Sequence, residues 1–257
     1  MIRNYRDLTR KEMEQIDRAD TVVLIPLGAL EQHGNQAPLG TDDIIAEALV
    51  NEITKKIKER DSTYPMLVFP VIPVGLSTEH KNFCGSITIK PDTYYHLLYD
   101  IGASLAKAGF RKIAFLICHG GNQPVVQILS RELRSEFGLA VFQLSGGAFF
   151  HPTVRATLSP GNEDDFHGGE METSMVMSVY PELVHLEDSE EGHLTKPFKA
   201  KGASLNWVSE DYVTPEGKPI GIGGNPKGAT AEKGKIILET SAEELMDAFE
   251  AIRRYSD

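Results

Sequence analysis

Two short apolar runs constrain this chain more than any other feature. Val22-Val23-Leu24-Ile25-Pro26-Leu27, opened by Thr21, is one; Lys112-Ile113-Ala114-Phe115-Leu116-Ile117-Cys118 is the other. Both fall far short of the ~20 apolar residues of a membrane span. Both are too continuous for strands with one wet face. Such runs are strands buried on two faces, which places them in a mostly parallel sheet with helices on either side. Helical patterns alternate with them. Ile45, Leu49, Ile53 and Ile57 fall four apart within 42–59, with Lys55, Lys56, Lys58 and Glu59 on the other face. A second strand is expected over 66–74, where Pro70 and Pro73 mark an end or an edge. A short strand is expected over 86–89. Pro91-Asp92 opens a helix carrying Tyr94, Leu97, Leu98, Ile101 and Leu105, stopped by Gly109. Pro124 opens the next, with Val125, Ile128, Leu129 and Leu133, and a strand over 140–144 follows. Residues 146–170 read as loop. Helices are expected over Glu170–Val179 and over 242–255. This order predicts a three-layer α/β sandwich with a mostly parallel central sheet, as one domain over 1–257.

Composition narrows the function classes. Lys and Arg number 26 against 37 Asp and Glu, a net charge of −11. That balance argues against nucleic-acid and anionic-membrane partners. The two cysteines, Cys84 and Cys118, are too few for a disulfide framework or a Cys-rich zinc module. With no apolar signal segment behind Met1, the chain reads as a soluble cytoplasmic protein.

The chemistry-bearing residues gather where the strands end. Glu31 and His33 follow the first run, two apart, so an extended segment points both to one side. Asp42 stands beside the start of a helix, and His119 directly follows the second run. In open α/β sheets, ligands collect outside the carboxyl ends of the strands. Imidazole and carboxylate are ligands that Zn²⁺, Mn²⁺ or Fe²⁺ accept, and Asp42 has two oxygens with which to bridge a pair of ions. The plainer alternative is a solvated loop beside a helix cap. A second block, His167-Gly168-Gly169-Glu170-Met171-Glu172-Thr173-Ser174, adds one imidazole and two carboxylates. Glu170 and Glu172 stand about 200° apart on a helix, so only one of them faces a common site. A Gly-rich stretch, Gly221-Ile222-Gly223-Gly224-Asn225-Pro226-Lys227-Gly228, lacks the spacing of phosphate-binding loops. It reads as a tight turn or a packed loop rather than part of a nucleotide-binding module.

Taken in order, these blocks resemble the creatininase (creatinine amidohydrolase) family. The stretches that carry the resemblance are Pro26-Leu27-Gly28-Ala29-Leu30-Glu31-Gln32-His33-Gly34, Pro38-Leu39-Gly40-Thr41-Asp42, Cys118-His119-Gly120-Gly121-Asn122 and the block from His167 to Ser174. A weaker match is Gly75-Leu76-Ser77-Thr78-Glu79-His80 with Gly85. The resemblance implies a metal-dependent amidohydrolase with two divalent ions per chain and a metal-bound water as nucleophile. It implies Glu31 and His119 on one ion, His33 on the other, Asp42 between them, and His167 as the proton-transfer residue. It also implies a homohexamer. Creatininase proper carries a Glu where this chain has Gly121. The missing ligand is therefore expected from Glu170, with Glu172 as its support or alternate. Ser77, Gly120 and Gly121 are the substrate-binding candidates. Creatininase proper also carries tryptophans in the loop before His167, whereas the only Trp here is Trp207. That argues against creatinine and leaves cyclic amides, formamides and peptide C–N bonds. The alternative is an α/β protein that binds metal or nucleotide without catalysis.

Overall fold

The computed structural model describes residues 1–162, 165–198 and 200–255. Glu163 and Asp164, in the acidic loop before His167, lie outside the described residues. The apolar runs form the centre of a five-stranded sheet: β1 (Ile2–Asn4), β2 (Val22–Leu27), β3 (Met66–Val68), β4 (Lys112–Ile117) and β5 (Ala140–Ser145). The spatial order is β1-β3-β2-β4-β5, and every neighbouring pair is parallel.

The period of two along each strand splits a continuous apolar run between two cores. Val22 and Leu24, with Met66, Ala114 and Leu116, face one side. There they pack on α2 (Thr41–Arg60), α6 (Glu170–Val179), α7 (Ala231–Glu244) and α8 (Met246–Arg254). Val23, Ile25 and Leu27, with Ile113 and Phe115, face the other side. Their partners are α3 (Pro91–Lys107) and α4 (Gln123–Phe137). All six residues of β2 are buried. Each large apolar side chain withdrawn from water contributes about 1.5–3 kcal/mol, so this strand anchors both layers at once. The result is the three-layer α/β sandwich expected from the sequence.

Several boundaries differ from the sequence expectation. The strand expected over 66–74 stops at Val68, and beyond Pro70 only an isolated parallel bridge, Leu27–Ile72, continues the pairing. The segment 86–89 is not a strand: its one bridge, Ile87 to Leu30, ties down the loop that carries Glu31. The stretch 146–170 contains α5 (Pro152–Thr157), and α1 (Arg10–Glu14) and β1 precede the first expected strand. A two-stranded hairpin, β6 (His193–Leu194) with β7 (Tyr212–Val213), lies outside the main sheet. The last helix starts earlier than 242 and breaks into α7 and α8 at Leu245. Gly234 sits inside α7 because a Cβ there would collide with the carbonyl of Ser174, so α7 and α6 pack backbone to backbone. Among the described residues no helix is long and apolar enough to cross a membrane.

Candidate active site

Parallel strands bring their carboxyl ends to one edge, and the loops leaving that edge carry the site. After β2, the loop 28–40 holds Glu31 and His33. Asp42 is in the first turn of α2, where the helix N-terminus favours an acid. His119 follows β4. His167 comes from the loop before α6, and Glu172 from the first turn of α6. All six are buried, with Glu31 and His33 at 0% exposure.

Asp42 lies between two imidazoles. Its Oδ1 is 3.6 Å from His33 Nε2, and its Oδ2 is 3.6 Å from His119 Nδ1. Glu172 Oε2 approaches the same His33 Nε2 at 3.6 Å, and Glu31 Oε1 lies 3.2 Å from His119 Nδ1. His167 Nδ1 is 3.7 Å from Glu31 Oε1. Among the described residues, three groupings have ligand atoms within 4.8 Å of one another: Glu31-His33-Asp42, His33-His167-Glu172 and Glu31-His80-His167.

The tautomers follow from what stands behind each ring. A carbonyl only accepts, so the ring nitrogen facing it donates. His33 Nδ1 donates to Glu31 O at 3.1 Å, His119 Nε2 to Leu76 O at 2.7 Å, and His167 Nε2 to Gln32 O at 2.9 Å. Each imidazole thus turns its other nitrogen into the cluster. This backing by a carbonyl is the arrangement that orients metal-ligating histidines. Both carboxylate oxygens of Glu31, His33 Nε2 and Asp42 Oδ2 are buried without a hydrogen-bond partner among the described residues. Buried polar atoms are rarely left unpaired, and four converging on one space fit a cation.

The titration behaviour agrees. Burial would lower His33, but Asp42 above all, then Glu172 and Glu31, raise it to about 10. His119 is also raised to about 10 against its burial, chiefly by Glu31 and Asp42. Burial, with repulsion from Glu31, raises Asp42, and burial raises Glu172 to about 7. Glu31 is held low despite burial, chiefly by His119 and also by His33. Burial and the neighbouring rings of His33 and His80 push His167 well below its ordinary value, so it is neutral near pH 7.

Glu170 is not part of this cluster, a correction to the sequence expectation. Its carboxylate turns away and pairs with Lys233, accepts from Ser159 N at 2.9 Å, and accepts from Asn162 Nδ2 at 2.7 Å. Glu172 is the carboxylate that enters, steadied by the Gly168 N–H at 2.6 Å. His167 precedes α6, and its backbone bridges to Gly223. The Gly-rich stretch thus backs the chain at His167, with Gly223 N donating to His167 O at 2.9 Å. Gly120 and Gly121 line the cavity. Ser77 is buried outside the cavity lining, with its N–H bonded to Thr88 Oγ1 at 2.9 Å.

Three residues were not assigned from sequence. His80 stacks on His167 with ring centres 4.2 Å apart and points Nε2 at Glu31 Oε1, 3.3 Å away. Its Nδ1 faces the amide of Gln32 at 3.0 Å and the Ser209 hydroxyl, and burial lowers its pKa to about 4. Glu79 lines the cavity beside it. Trp207 packs edge-on against His80 and Phe166, so the single tryptophan does reach the site, from a different segment than the loop before His167. Glu79-His80 stood inside the weakest of the quoted motifs; nothing local marked Trp207. The cavity above the cluster measures about 1040 Å³.

A parallel α/β sandwich with an imidazole–carboxylate cluster at the carboxyl edge of its sheet is an α/β protein built for chemistry at its strand ends. The chain belongs to the creatininase family of hydrolases: the family profile, described as creatinine amidohydrolase, matches residues 6–249. A mycofactocin precursor peptide peptidase of Mycobacterium ulcerans is 32% identical over 236 residues, covering 91% of this chain and 85% of that protein. The creatinine amidohydrolase of Pseudomonas putida is 29% identical over 260 residues, covering 94% of each. Among solved structures, a manganese form of creatininase aligns with TM-score 0.77 and 27% identity over 98% of each chain. A zinc–zinc form of a creatininase mutant aligns equally well, at 0.77 and 28% identity over 98% of each chain.

Proposed function

We propose that this protein is a divalent-metal-dependent amidohydrolase that cleaves the C–N amide bond of a small molecule, of cyclic-amide or formamide type. The observation that carries the reading is the set of unpaired buried atoms of Glu31, His33 and Asp42 beneath a cavity of about 1040 Å³. The manganese and zinc–zinc forms of the structural relatives support a metal at such a site.

Glu31 and His119 would hold one ion, His33 and Glu172 the other, and Asp42 would join both, since its two oxygens face opposite imidazoles. Bound divalent ions lower the pKa of water from about 15.7 to about 7 and polarise a carbonyl. The remaining demand is proton traffic, and His167 is placed for it. Its Nε2–H is committed to Gln32 O, so Nδ1 is the working atom. Neutral at the outset, Nδ1 takes a proton from the attacking water and delivers it to the departing nitrogen. His80 stands behind Glu31, its Nε2 3.3 Å from Oε1. Phe166 and Trp207 pack beside the ring of His167.

The homohexamer implied by the family resemblance and the cytoplasmic location expected from the sequence belong to the same reading, and light scattering measures the first. The chemistry is tested by a hydrolysis screen of Zn²⁺- and Mn²⁺-loaded protein against creatinine, cyclic amides, formamides and short peptides. We expect chelator-sensitive turnover in at least one class. Loaded protein that hydrolyses none of them would rule out the reading.

A further inference from the structure

Glu79 is the carboxylate of the cavity wall that the cluster does not use. Asp42 and Glu172 also line the cavity, but both are engaged with His33. Glu79 Oε1 lies 3.8 Å from His119 Nε2, and that nitrogen already donates to Leu76 O. The contact is therefore electrostatic and leaves the oxygens of Glu79 free to accept. No other described residue donates a hydrogen bond to its side chain. Among the described residues the one Arg or Lys of the cavity lining, Arg155, donates to Asp165 O at 3.1 Å and stands over the Phe150 ring.

The glycines opposite leave room for a ligand there. A side chain at Gly121 would strike the Leu76 carbonyl and the Glu79 carboxylate, while a Cβ on Gly120 would meet nothing within 4 Å. Beyond this carboxylate the wall turns apolar, through Leu76, Val125, Ile128, Phe149 and Phe150. A partly buried carboxylate with open acceptors beside an apolar wall matches a ligand with an ammonium or N–H group and a hydrocarbon arm.

We propose that Glu79 is a specificity-determining residue that receives a free amino group of the substrate, so that the favoured substrates are amino-substituted amides with an apolar arm. This rests on the amidohydrolase reading for the reaction, but the recognition itself is read from binding and not from product. Trp207, the only tryptophan, borders the cavity and reports its occupancy by fluorescence.

The experiment titrates the metal-loaded protein with leucinamide and with 4-methylpentanamide, which is leucinamide without its amino group. A hydrogen bond to a charged group supports a preference of about 10-fold or more for leucinamide. In Glu79→Gln that preference should fall to less than about 3-fold with metal content unchanged. Equal binding of the two amides by the wild-type protein, or no binding of either, overturns the proposal and needs no variant. A preference that survives in Glu79→Gln also overturns it. Loss of metal in Glu79→Gln would make Glu79 a ligand instead. A leucinamide preference in a protein that hydrolyses nothing would sink the amidohydrolase reading and leave this recognition standing.

Discussion

Two buried polar regions meet in the first turn of α6, and they are opposite in kind. Glu170 sits in a saturated network. Lys233 neutralises it, Ser159 and Asn162 fill its oxygens, and Asp165 receives the N–H of Glu170 itself. Lys233 is satisfied in turn by Ser159 Oγ at 3.1 Å and Gly228 O at 2.9 Å. Glu172, two residues on, enters a cluster whose central atoms are unpaired. Both carboxylates are buried, so burial does not distinguish structure from function. Satisfaction does: a filled network fixes the chain, while open valences at a cavity wait for a ligand.

The comparison breaks or sharpens under mutation, and the largest effect is expected at the open cluster. Asp42→Ala and His33→Ala should each lose metal and nearly all turnover, because each removes an atom the unpaired set depends on. Elemental analysis that finds metal content unchanged in both would refute the assignment. Next comes His167→Ala, which should keep its metals and lose about 10²–10⁴-fold in kcat. An activated anilide, whose leaving group needs no proton, should suffer less.

The third test contrasts the two carboxylates directly. Glu172→Gln should lose a metal, whereas Glu170→Gln should keep both and instead weaken the fold. Lys233→Met leaves Glu170 buried without its cation and should cost about 3 kcal/mol in denaturant unfolding. An unfolding midpoint equal to wild type would show the network to be slack. A smaller effect is expected at His80→Ala, which removes the support behind Glu31. Outer residues of this kind typically change metal affinity by about 10–100-fold, measurable by competition with a chromophoric chelator.

The last test is pH. His33 and His119 have pKa values raised to about 10 in the folded, ion-free protein. The unfolded chain releases those protons near the ordinary value of about 6.5. Their stabilisation is therefore complete below about pH 6.5 and is lost as pH rises toward 10. The ion-free protein should melt progressively lower over that window. Divalent metal should cancel the drop, since an ion replaces the protons. A melting temperature that is flat with pH in chelated protein would contradict the charge balance described for the cluster.

Much of this was legible in the residues. The runs of β2 and β4 specify strands buried on both faces, because nothing in them tolerates water. Parallel pairing sends their following loops to one edge, so Glu31, His33, Asp42 and His119 were bound to converge there. Helical geometry also required that Glu170 and Glu172 point apart. Which one turns inward was beyond the sequence, because the rotation of α6 about its axis is set by packing. Gly234 lets α7 settle against the backbone of α6, and Lys233 then lies beside Glu170. His80 and Trp207 were equally out of reach, brought to His167 across 87 and 40 residues of chain by contacts that no local pattern encodes. The sequence determined the sheet, its reactive edge and the ligand types, since these follow from hydrophobic period and local spacing. The tertiary structure decided which carboxylate faces the cluster and which ring stands behind it, since those depend on how separate segments dock.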